Sequence, residues 1–294
     1  MKDSDTLQDI AKQLSRLAEA HEAQLAETRH AIDGPINWNA KAFRWRDNGR
    51  LQAIDSPQSL ELDRLHGIAR QKAQLIANTR QFLARAPANN ALLWGARGTG
   101  KSSLIKALLP MFADEGLRMI EVPTHRLVDL PDLVALLAER PERFIVFSDD
   151  LSFESGDGSY KALKAVLDGS LAATPDNILI YATSNRRHLM PEFQSENQAT
   201  QTLDSEIHHG EAVEEKISLS ERFGLWLSFY AFDQQRYLEI AAKHLNAFGL
   251  TADIGVEQPW ERAALQWALA RGNRSGRTAE QFARDWAGQT ATDI

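Results

Sequence analysis

Cysteine is absent from this 294-residue sequence. Disulfides, thiolate nucleophiles and cysteine-based zinc sites are therefore excluded. No apolar stretch approaches the roughly 20 residues that a membrane-spanning helix needs, and the mean hydropathy is -0.38. The polar, acidic start (Asp3, Asp5, Asp9) lacks the charged-then-apolar layout of a secretory signal. The expectation is a cytoplasmic protein with no membrane partner. Positive charge is also in short supply: the net charge of -7 argues against a general nucleic-acid coat. Internal repeats are lacking too, as is the Asn-Lys-x-Asp string that reads guanine. Hydrophobic residues nevertheless make up 43%, enough for a sizeable core.

The hydrophobic pattern divides the chain. In residues 6–26, Leu7, Ile10, Leu14 and Leu17 form one apolar stripe at helical spacing, so 1–30 is expected to hold an N-terminal amphipathic helix, either docked on the body or paired with a partner. Residues 31–60 read as a loop-rich linker, with turn signals at Gly34-Pro35, Asp47-Asn48-Gly49 and Ser56-Pro57. Trp38 and Trp45, beside Arg44 and Arg46, are expected to pack on the domain rather than stack on a base. From 61 to 232, short apolar strands alternate with helices. The strands are placed at 91–94, 117–122, 144–147, 178–182 and 226–232, and the helices at 68–83, 102–112, 130–138 and 160–172. Continuously apolar strands between helices predict a parallel sheet covered on both faces. From 233 to 294 only helices are expected, at 234–248, 259–270 and 278–287. The long polar stretch 194–216 reads as an exposed insertion.

The residues Gly95, Ala96, Arg97, Gly98, Thr99, Gly100, Lys101 and Ser102 fit the pattern G-x-x-x-x-G-K-[ST], set between an apolar strand and a helix. Glycines let successive backbone N–H groups turn toward one anion. The helix that follows points its free donors and partial positive charge at the same place. The pattern predicts a loop for the phosphates of a nucleotide, with Lys101 as a point charge and the Ser102 hydroxyl as a magnesium ligand. The apolar strand ending in Asp149-Asp150 supplies the expected second element. A strand adjacent to the loop's own strand would bring Asp149 to the metal, leaving Asp150 to orient or deprotonate a water. Glu154 is close enough to compete for that role.

Together these residues resemble the AAA+ branch of P-loop ATPases. More closely, they are similar to a bacterial family of AAA+-type ATP-binding proteins of uncharacterised biological role. The resemblance runs over 47–286. It is carried by the strings LLWGARGTGKSS at 92–103, FSDDLSFE at 147–154, YATSNRRHL at 181–189, EKISLSERFGL at 215–225 and RSGRTA at 274–279. It implies an α/β fold, a P-loop NTPase sheet sandwiched by helices with a small C-terminal helical lid. By resemblance Ser103 belongs to the nucleotide loop, and Ile68, in Leu65-His66-Gly67-Ile68, would pack on the base. Asn185 would be a polar sensor of the γ-phosphate or the lytic water. Arg222 would be an arginine finger offered in trans within a homo-oligomer, and Arg274 or Arg277 a second sensor. Each has a structural alternative: Asn185 as a turn residue, Arg222 as partner of Glu221 or another surface acid, and Arg274 and Arg277 as solvated residues of a glycine-rich turn.

The sequence departs from the family pattern in places. Asp150 stands where many AAA+ proteins have glutamate, one methylene longer. Residues 123–128 lack the aromatic-apolar-glycine loop that threads polypeptides. His208-His209 reads as solvated rather than metal-binding. The leading expectation is a magnesium-dependent ATPase that remodels an unknown protein or nucleic-acid client. The alternatives are a slowly hydrolysing, nucleotide-controlled binding module and, least favoured, a P-loop kinase using Arg186-Arg187.

Overall fold

The computed structural model describes residues 35–58, 60–153, 158–169, 175–185, 219–254 and 258–292. The expectations for the helix at 6–26, the insertion 194–216, Arg186-Arg187, His208-His209 and Glu154 lie outside the described residues.

Among the described residues seven strands form one sheet: β1 (Ala42–Trp45), β2 (Leu51–Ile54), β3 (Ala91–Gly95), β4 (Leu117–Glu121), β5 (Arg143–Ser148), β6 (Ile178–Ser184) and β7 (Leu225–Phe229). Their order is β2-β1-β4-β5-β6-β3-β7. Every neighbouring pair is parallel except β1 with β2. β5 and β6 are buried along their whole length, as expected of strands covered on both faces. Successive side chains divide between the faces. Phe144, Val146, Ile178 and Ile180 meet Leu130, Leu133 and Leu137 of α3 (Leu130–Leu137) and Leu163 of α4 (Gly158–Asp168). Ile145, Phe147, Leu179 and Tyr181 meet Leu75 and Phe82 of α1 (Ala69–Leu83) and Leu104, Leu108 and Phe112 of α2 (Lys101–Phe112). The Tyr181 hydroxyl, pushed up to about 12 by burial, accepts from Asn78 Nδ2 at 2.9 Å and so pins α1 to β6.

The C-terminal helices α5 (Gln234–Ala247), α6 (Pro259–Ala270) and α7 (Gly276–Thr292) share a core of their own. Ala241, Ala264, Ala268, Ala279 and Ala283 are all buried there, and their small size lets the helices approach closely. Asp233 caps α5, its carboxylate accepting from Arg236 N at 2.7 Å. Among the described residues no helix is long and apolar enough to cross a membrane.

Two sequence expectations need correction. Residues 33–59 are not all loop: β1 and β2 form a hairpin around Asp47-Asn48-Gly49, and β1 then pairs with β4, extending the sheet. Each strand has only four residues and contains a polar one, Arg44 or Gln52, so neither shows a clear strand pattern. The tryptophans do pack. Trp45 is buried and donates to Asp129 Oδ2 at 2.8 Å, and the Arg140 guanidinium lies 4.2 Å from the Trp38 ring centre. The second correction concerns adjacency. β5 does not neighbour β3, because β6 lies between them.

Candidate functional site

The loop between β3 and α2 is closed by its own hydrogen bonds. Thr99 Oγ1 donates to Ala96 O at 2.7 Å, and Ala96 N donates to Phe229 O on β7 at 2.8 Å. Gly100, in the left-handed region, opens α2, so the first turn of the helix turns its unpaired N–H groups into the loop. Gly98 sits at φ +74, and a Cβ there would come within 2.7 Å of Ser275 Oγ. Arg277 N donates to Gly98 O at 3.1 Å. The loop therefore touches the C-terminal helices directly, through a residue without a side chain.

Lys101 is 6% exposed. Its ammonium donates to Gly95 O and Ala96 O, both at 2.8 Å, and to Asn185 Oδ1 at 3.0 Å. Burial brings its pKa down to about 8; Asp150 and Asp149 oppose this, and Arg97 and Arg277 add to it.

Despite the intervening strand, Asp149 reaches the loop. Its Oδ1 accepts from Ser102 Oγ and from Thr183 Oγ1, both at 2.5 Å. Thr183, on β6, fills the gap that the strand order creates. Thr183 Oγ1 also accepts from Asp150 N at 2.9 Å. Asp150 has φ 55, a left-handed conformation in which aspartate and asparagine are several-fold enriched. That gives a physical reason for a short acidic side chain here. Asn185 Nδ2 donates to Asp150 Oδ1 at 2.5 Å, so Asn185 bridges Asp150 and Lys101 rather than merely forming a turn.

These groups line one cavity of about 430 Å³, with Arg97, Ser103, Ile68 and Arg277. This volume lies within the range of small-molecule sites. A hydroxyl and a carboxylate are hard oxygen donors, suited to magnesium held partly by its substrate's phosphates. Among the described residues no three acidic or histidine side chains form a ready-made metal cage.

The structure separates the two arginine candidates: Arg277 lines this cavity, whereas Arg274 lines another, beside Leu269 and Asn273. Arg222 does not line the cavity. Its guanidinium donates to Asp168 at the end of α4. Sequence reasoning missed Thr183, which has a weak signal two residues before Asn185. It also missed His66, His244 and Glu280 as lining residues. His66 lies two residues before Ile68, and nothing in the sequence links His244 or Glu280 to the site.

The model of the family described as protein of unknown function (DUF815) matches residues 38–290. No curated protein matches the chain. Among solved structures, the AAA domain of FIGL-1 in complex with ADP is similar at 16% identity and a TM-score of 0.50, over 81% of this chain and 77% of that one. PCH-2 of C. elegans is 19% identical, with a TM-score of 0.46, over 75% and 64%. RuvB of Thermotoga maritima, a Holliday junction branch migration motor, is 16% identical, with a TM-score of 0.46, over 76% of this chain; the match spans only 63% of the RuvB chain. At 16% identity the likeness to the FIGL-1 domain is one of fold: a P-loop sheet of the AAA+ kind followed by helices.

Proposed function

We propose that this chain, which belongs to the DUF815 family, binds ATP with magnesium and hydrolyses it, working as an oligomer to rearrange a protein or nucleic-acid client. One observation carries the reading. Two hydrogen-bonded chains, Ser102–Asp149–Thr183 and Lys101–Asn185–Asp150, meet at the mouth of the glycine loop. The backbone N–H groups of the loop and of the first turn of α2 hold the phosphates. Lys101 gives up its carbonyl partners for the β- and γ-phosphate oxygens. Ser102 and Asp149 would hold magnesium, which would neutralise charge on those oxygens. Asp150, oriented by Asn185, aligns the attacking water and receives its proton. Arg277 adds positive charge from the C-terminal helices, and Arg222 serves the site of a neighbouring copy.

Phosphate release from Mg-ATP, followed against protein concentration, tests this reading. The specific rate is expected to rise with concentration in the wild type and to stay low and flat in Arg222→Ala. Equal rates for both proteins at all concentrations would remove the intersubunit part. A second reading, a slow nucleotide-controlled switch, draws on Asp150: its short carboxylate is already engaged by Asn185. Tight ATP binding with turnover near zero would select it.

Binding should also take up protons. Without ligand, Lys101 loses its proton as pH rises through about 8. Beside phosphates it keeps the proton, because opposite charge favours the charged form. Affinity for Mg-ATP should therefore fall as pH rises above 8, by up to about tenfold per pH unit. Calorimetry at pH 8.5 in buffers of different ionisation enthalpy should register an uptake of roughly three-quarters of a proton from this group. No uptake would mean that Lys101 does not meet the phosphates.

A further inference from the structure

The far end of the cavity differs chemically from the phosphate end. There the segment before α1 meets the C-terminal helices, and two imidazoles face each other across the junction. The His66 and His244 rings lie 5.3 Å apart at 63°, an edge-to-face pair. His66 belongs to the sheet side and His244 to α5. The junction is tight. Gly67 sits at φ +79, and a Cβ there would come within 2.9 Å of Phe232 and 3.0 Å of Ile240. Ile68 and Ile240 are 3% and 2% exposed beside the pair. Both histidines line the same cavity as Arg277 and the glycine loop.

We propose that the His66–His244 contact is a proton-sensitive joint that positions the C-terminal helices, and with them Arg277, over the nucleotide, and that protonating it releases them. The proposal rests on the nucleotide-binding reading above. The charges around the joint set its sign. The second imidazole, Lys243 of α5 and Lys72 of α1 oppose a proton on His66, and Asp63 favours one. For His244, Glu280 of α7 favours a proton and Arg64 opposes one. Burial is the largest cause for both rings; it holds His66 down to about 4 and His244 below its ordinary value. Both rings are therefore neutral at pH 7. An opened joint exposes them to water and returns them toward the ordinary 6.5. The closed arrangement is thus fully favoured above pH 6.5. As pH falls from 6.5 toward 4, His66 can shift the balance toward the open one by up to about tenfold per pH unit, and His244 acts in the same direction. His66 and His244 are positioning residues here, since they act through α5, which shares a core with α7, the helix that carries Arg277.

The test compares Mg-ATP affinity from pH 7.5 to 5 in the full-length wild type and in the double variant His66→Phe/His244→Phe, which keeps two aromatic rings and removes the titration. Protonation of ATP itself is common to both, so the wild type should lose more affinity over this range than the variant, by up to about 30-fold through His66 alone. Parallel profiles would overturn the proposal. Ring titrations of the ligand-free wild type by NMR add a readout that does not depend on the variant folding. Two of the eight histidines should titrate below 6.5; ordinary midpoints for all eight would also overturn it. Failure of the wild type to bind Mg-ATP at pH 7.5 would instead count against the nucleotide reading, while the ring titrations would still decide whether the joint exists.

Discussion

Lys101→Ala should reduce Mg-ATP affinity by between roughly 30-fold and several thousand-fold, the effect of about 2–5 kcal/mol for truncating one member of a buried, hydrogen-bonded charge contact. The expectation rests on where the ammonium lies. It is nearly enclosed and held by the carbonyls of Gly95 and Ala96 and by Asn185. It is thus poised where the phosphates must enter, at the start of α2. The fold should survive, because Lys101 opens the helix and most of the packing of α2 comes from Leu104, Ile105, Leu108 and Phe112. Equilibrium binding of a fluorescent ATP analogue, with a thermal melt as control, gives the comparison. A variant that melts normally and binds as tightly as the wild type would show that the phosphates lie elsewhere.

Asp150→Asn should separate binding from chemistry. Loss of a general base typically costs about 10²–10⁴-fold in rate, and here the substitution should leave affinity within a few-fold. The backbone supports the choice of variant. At φ 55 asparagine is as well accommodated as aspartate, so the left-handed turn and the contact from Asp150 N to Thr183 should both persist. Asp150→Glu, despite keeping the charge, should be the poorer replacement, since glutamate lacks that preference for the left-handed region. Single-turnover hydrolysis of bound Mg-ATP distinguishes the cases. If Asp150→Asn turns over as the wild type does, the water must be activated by another group.

The parts of this architecture that could be read from sequence are those whose signals are local. Strands β5 and β6 announce themselves as apolar runs because both of their faces are buried. The glycine loop is legible because its backbone task demands particular residue types at fixed spacing. Pro259 marks the start of α6. What escaped depends on pairing between distant segments. The β1–β2 hairpin has four-residue strands, each interrupted by one polar residue, and gains its place only by pairing with β4. The insertion of β6 between β3 and β5 gives Thr183 its role, and no local pattern encodes that order. His244 and Glu280 reach the cavity only because α5 and α7 pack together behind the loop. The choice between Arg274 and Arg277 is likewise made by the direction in which the start of α7 faces.

The bond from Arg277 N to Gly98 O makes α7 a lever with its fulcrum at the glycine loop. The helix has 17 residues and extends about 25 Å from that point. A tilt of about 10° at the fulcrum would carry its far end through about 4 Å, by the geometry of a rigid rod of that length. Displacements too small to matter within the loop would thus become, at the distal end of α7, large enough for another molecule to feel.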